Sequence, residues 1–94
     1  MIVRKLDKRH SGYGYFSHYI SPPATDVMPY ATYLNWKDEI YDIWGDPGRV
    51  CKPLSHSTGR WQHTMAFAPN SGFDIRIYVR NASDLTWLKL VLTA

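Results

Sequence analysis

The sequence predicts an α+β fold, a small antiparallel sheet of four to five strands with one amphipathic helix packed on one face. Three observations predict it. Residues 73–80 alternate strictly, with Phe73, Ile75, Ile77 and Val79 on one side and Asp74, Arg76, Tyr78 and Arg80 on the other. That is the period of a strand with one buried and one wet face. Residues 36–44 follow a helical period instead: Trp36, Ile40, Ile43 and Trp44 make one apolar stripe. Turn-forming residues at Ser11-Gly12, Gly45, Pro47 and Pro69-Asn70-Ser71-Gly72 separate the apolar runs.

Ile2 to Leu6 reads as the first strand. Ile2, Arg4 and Leu6 share one side, Val3 and Lys5 the other, so neither side is wholly buried. Asp7 to Gly12 is a turn. Tyr13 to Ile20 is the second strand, rich in aromatics that favour sheets. Gly14 inside it marks a bulge or a close approach by another group. Phe16, His18 and Ile20 form its more apolar side and are assigned to the core. Tyr13, Tyr15 and Tyr19 are then exposed or half-buried. Ser21 to Pro29 holds three prolines and reads as a loop.

The helix is capped by Asn35, with Asp38 and Glu39 in its positive first turn. An earlier start near Tyr30 adds Tyr33 to the stripe. Gly45 stops it and Pro47 prevents resumption. Asp46 to Gly59 is a second long loop. Arg60 to Ala68 is a strand with Trp61, His63, Met65 and Phe67 on one face, joined by the 69–72 turn to the strand Phe73 to Arg80. Asn81 to Asp84 begins a short helical turn capped by Ser83 or Asn81. Leu88, Leu90 and Leu92 then alternate with Lys89 and Val91 as a last strand. A continuous helix from Ser83 to Leu92 is the rival, because Leu85, Leu88 and Leu92 fit that period too. The whole is a two-layer sandwich, in its favoured version a degenerate ferredoxin-like one, forming one domain over residues 1–94.

Composition narrows the function. Hydrophobic residues make up 45% and charged residues 20%, which is globular rather than disordered. The single cysteine, Cys51, excludes an internal disulfide framework and points to a reducing compartment. The opening MIVRKLDKRH lacks the apolar core of a signal peptide, and no apolar run approaches the ~18 residues that span a bilayer. A cytoplasmic protein is expected, or one assembled into a particle there, without membrane attachment. Net charge is +3 and unevenly spread. Arg4, Lys5, Lys8 and Arg9 open the chain; Asp38, Glu39, Asp42 and Asp46 follow; Arg49, Lys52, Arg60, Arg76 and Arg80 come last. Two basic segments thus flank an acidic one, and the two signs suit different partners.

The stretch KRHSGYGYFSHY, with its basic flanks and rings, raises the question of nucleic-acid contact. Arg4, Lys5, Lys8 and Arg9 would meet phosphates while Tyr13 and Tyr15 stack on bases, and Arg76, Tyr78 and Arg80 would extend that face. The plainer alternative is that the tyrosines are structural hairpin residues and the charges solubilise. Metal ligation by His10, His18, His56, His63 or Cys51 lacks the paired spacing of zinc sites, so no metal or other cofactor is expected. Cys51 with His56 or His63 shows nothing that activates a nucleophile, and a His56- or His63-dependent hydrolase or nuclease is the third choice. Tryptophans beyond those a core needs serve as interface anchors. Trp61 and Trp87, with Arg49 and Lys52 from the long loop, therefore favour a non-enzymatic protein-binding role. Exposed strand edges also suit a homodimer.

Three segments, KLDKRHSGYGYF, EIYDIWGDPG and FDIRIYVRNASDLTWLKLVL, resemble small uncharacterised accessory proteins of tailed bacteriophages. The resemblance implies context, an accessory or regulatory factor acting on a host or particle component. It implies no mechanism and no site residues.

Overall fold

The strand Gly72–Val79 lies inside the sheet, and its two faces organise the rest. The computed structural model describes residues 1–10, 13–23, 25–48, 59–68 and 72–92. Its elements are β1 (Ile2–Lys5), β2 (His18–Ser21), α1 (Pro29–Trp44), β3 (Trp61–Ala68), β4 (Gly72–Val79) and α2 (Ala82–Leu92). They form one four-stranded sheet of order β1-β2-β4-β3, antiparallel throughout. β2 and β3 therefore run the same way on either side of β4, and α1 carries the chain from one to the other. The α+β sandwich stands, with two helices rather than one. Its chain order is ββαββα, which differs from the βαββαβ of a ferredoxin-like sandwich.

Register sorts the side chains. Ile20 lies opposite Ile77, and Val79 opposite Trp61. Trp36 and Ile40 of α1, with Leu85 and Leu88 of α2, pack on these four residues, while Trp44 and Leu92 close the margin. Burying each such aliphatic side chain contributes about 1.5–3 kcal/mol.

The other face is wet only in part. Tyr19 lies opposite Tyr78, and Leu6 and Phe16 cover both rings, leaving Tyr78 2% exposed. The second strand is shorter than its sequence suggests. Tyr13 and Phe16 form an isolated bridge around Gly14, whose φ of 96° turns the chain back. Phe16 is thereby carried away from Ile20 to the opposite side of the sheet.

Helix α1 begins at Pro29, which sits in its first turn with φ already set for a helix. Asn35 is inside the helix and caps nothing. Asp26 organises the entry, accepting the Met28 N–H at 2.9 Å and the Thr32 hydroxyl at 2.6 Å. The buried stripe is Tyr33, Trp36 and Ile40, and Ile43 is exposed. The stop at Gly45 holds: its N–H donates to the Tyr41 carbonyl.

The last segment is helix, not strand. Asn81 Oδ1 accepts the Asp84 N–H at 2.8 Å, an N-terminal cap. Leu85 and Leu88 are buried while Leu90 is 65% exposed, so burial follows a helical period. Trp61, expected at an interface, is completely buried, and its indole N–H donates to the Gly45 carbonyl at 3.1 Å. Trp87 remains 45% exposed. Trp61→Ala should therefore cost about 3–5 kcal/mol in urea unfolding. Trp87→Ala should stay within about 0.5 kcal/mol of the parent.

Candidate nucleic-acid interface

One end of the sheet gathers the basic and aromatic residues. Lys5, His18, Val79 and Trp61 form a row across the four strands. The residues just beyond that row are Leu6, Ser17, Arg80 and Arg60. Two backbone bonds continue the pairing there, Leu6 N–H to Ser17 carbonyl and Ser17 N–H to Val79 carbonyl, both 2.9 Å. The loop carrying Tyr13 and Tyr15 leads into Ser17, so it hangs over the same end.

Arg80 sits over the Tyr15 ring, its guanidinium carbon 4.1 Å from the centroid. Its Nε–H also points at the Tyr15 carbonyl at 3.5 Å. Tyr15 is fixed from below: its hydroxyl donates to the Gly59 carbonyl at 2.7 Å, and Phe16 meets it edge-on at 4.8 Å. Gly59 adopts φ +97°, and a Cβ there would collide with the Gly48 backbone, so only glycine fits.

Two depressions flank this stack. One, of about 750 Å³, is lined by Tyr15, Gly59, Arg60, Arg80, Asn81 and Asp84. The other, of about 390 Å³, is formed largely by Lys5, Leu6, Tyr13, Gly14 and Phe16. Tyr15 and Arg80 line both, as a shared wall.

The two arginines of the larger cleft differ in their partners. Arg60 stacks on Trp44 at 4.3 Å and forks onto Asp84 at 2.9 and 3.3 Å. Its charge is answered. Arg80 and Lys5 have no carboxylate partner among the described residues. Burial, and after it the Lys5 charge, push the His18 imidazole below its ordinary value, so it is harder to protonate than a solvated imidazole.

Of the residues singled out for nucleic-acid contact, Lys5, Tyr13, Tyr15 and Arg80 come together here. The others do not. Arg4 lies two residues back from Leu6 along the edge strand, opposite Tyr19, and lines neither depression. Lys8 is exposed in the turn. Arg9 is bound to Asp7 at 2.9 Å, and those hydrogen bonds hold the Asp7 carboxyl at about 2. Arg76 pairs with Asp74 and stacks on Tyr19. Tyr78 is covered, so Arg76, Tyr78 and Arg80 do not form one exposed face. Arg60, Asp84 and Asn81 were missed. The Arg60–Asp84 ion pair spans 24 residues, and no local pattern announces it. Arg49, Lys52, Cys51 and His56 lie outside the described residues.

His63 belongs elsewhere. Its Nδ1 lies 2.7 Å from the Tyr33 hydroxyl, and its ring leans on Trp61. Among the described residues, no three His, Cys, Asp or Glu side chains gather as a metal site would require. Nor is any helix among them long and apolar enough to cross a membrane.

Compared with known proteins, the chain matches no family model, no curated protein and no solved structure.

Arg60→Ala leaves Asp84 without its partner in a nearly buried position; it should cost about 1–3 kcal/mol, read as a lower urea midpoint. Burial holds His63 below its ordinary value, with Lys37 adding to the effect. His18 shifts the same way. The unfolded chain protonates these imidazoles near pH 6.5, the folded chain only at lower pH. Their contribution to stability is complete above about pH 6.5 and is lost as pH falls below it. The urea midpoint should drop between pH 7 and pH 5, and a His18→Gln/His63→Gln double variant should flatten that drop.

Proposed function

We propose that the chain is a non-enzymatic nucleic-acid-binding module whose contact surface is the basic, aromatic end of the sheet. The observation that carries this reading is Arg80. It is a cation without a carboxylate partner among the described residues, stacked on an anchored tyrosine between two open depressions. An arginine held this way offers its remaining N–H groups to a phosphate in a fixed orientation. Lys5 adds a second positive charge on one side. Tyr13, 46% exposed, offers a ring face. Asp84, the carboxylate in the cleft, is committed to Arg60 and is not poised as a general base.

A second reading keeps the protein partner. Trp87 and Leu90 lie three residues apart on α2, both exposed, and such a pair suits an anchor on a protein surface. Of the residues expected to serve that role, Trp61 is buried and Trp87 exposed, while Arg49 and Lys52 lie outside the described residues.

The test is binding of a fluorescently labelled oligonucleotide followed by anisotropy at several salt concentrations. Two or three neutralised phosphates predict a log–log salt slope of roughly −1.4 to −2. Arg80→Ala should weaken binding about tenfold or more at low salt, the loss of a charge-assisted contact. Absence of binding at ~50 mM salt would sink the proposal.

A further inference from the structure

The two depressions are not equivalent, and their difference identifies the form of nucleic acid. The larger is ringed by polar groups, Arg80, Asn81 and the Arg60–Asp84 pair. The smaller has an apolar floor, because Leu6 and Phe16 line it and both are almost fully buried. Tyr13 stands at its rim. At Gly14 nothing approaches within 4 Å of the position a Cβ would take, so the backbone there faces open space. Lys5 and Ser17 supply polar groups at the margin. At about 390 Å³ the space falls in the ~300–1,000 Å³ range of small-ligand sites.

We infer that the smaller depression receives one unpaired base, with an adjoining phosphate on Arg80. A nucleotide has a matching division: a flat ring whose faces stack on apolar surface, joined to an anion. The Tyr15–Arg80 wall separates the two compartments and belongs to both. Duplex DNA or RNA keeps its bases stacked and paired inside the helix, so it presents phosphates to Arg80 but nothing to the apolar slot. The site therefore selects single strands. This inference rests on the nucleic-acid reading above and adds the occupant of the second compartment.

The experiment compares three labelled probes of equal length at one salt concentration: an oligothymidylate, a strand of abasic sugar-phosphates, and a duplex. The oligothymidylate should bind at least about fivefold more tightly than the abasic strand, the effect of one stacked base. The duplex should do no better than the abasic strand. Tyr13→Ala should shrink the difference between the first two probes, and Tyr13→Phe should restore it. Equal binding of base-bearing and abasic strands overturns the base slot and leaves phosphate recognition standing. Duplex binding as tight as the single strand also overturns it. Failure of all three probes to bind overturns the underlying nucleic-acid reading instead. The probe comparison uses the unaltered protein, so it holds even if the Tyr13 variants fold poorly.

Discussion

Every other feature of this fold depends on the register in which β2 lies against β4. Ile20 opposite Ile77 gives the two helices their apolar floor, and Tyr19 opposite Tyr78 gives Leu6 and Phe16 theirs. A slip of one residue would turn both sets over at once. A chain of 94 residues has little interior, and it gains core by covering both faces of its inner strands. The same register fixes the end of the sheet. Because Ser17 bonds Val79, the next residue, Arg80, arrives beside Tyr15.

The fold class was legible because it rests on local periods. The alternation through Phe73–Val79 and the apolar stripe ending at Gly45 are each contained within a dozen residues. What alternation cannot say is whether the more polar face is wet. Tyr78 reads as surface beside Arg76 and Arg80, yet its ring is covered by Leu6 and Phe16, supplied from the far end of the sequence. Leu88, Leu90 and Leu92 were ambiguous because Leu88 and Leu92 satisfy a helical spacing as well as an alternating one. The Asn81 cap and the exposure of Leu90 resolve that ambiguity in favour of helix. Trp61 followed a glycine and an arginine, which resembles a loop edge. Its burial comes from packing under Tyr41 and the end of α1.

The candidate site was legible residue by residue and not as a place. Lys5, Tyr13, Tyr15 and Arg80 each stand out for charge or ring, but Tyr15 and Arg80 lie 65 residues apart. Only the sheet order brings them together. The pairing of Arg60 with Asp84 separates the two cleft arginines by role. Arg60 ties the start of β3 to α2 and to Trp44 at the end of α1. Arg80, stacked on Tyr15 and without a carboxylate partner among the described residues, is already ordered, so a bound anion would meet less of the entropic cost of fixing a long side chain.

The guanidinium of Arg80 gives the most direct reading of this arrangement. In a two-dimensional ¹H–¹⁵N spectrum its Nε–Hε resonance should lie upfield of a solvated arginine, shifted by the Tyr15 ring current. It should return toward the solvated position in Tyr15→Leu, and a short single-stranded oligonucleotide should move it while leaving the Arg9 signal in place. A resonance at the solvated position in the unaltered protein, unmoved by oligonucleotide, would contradict both the stack and the surface built on it.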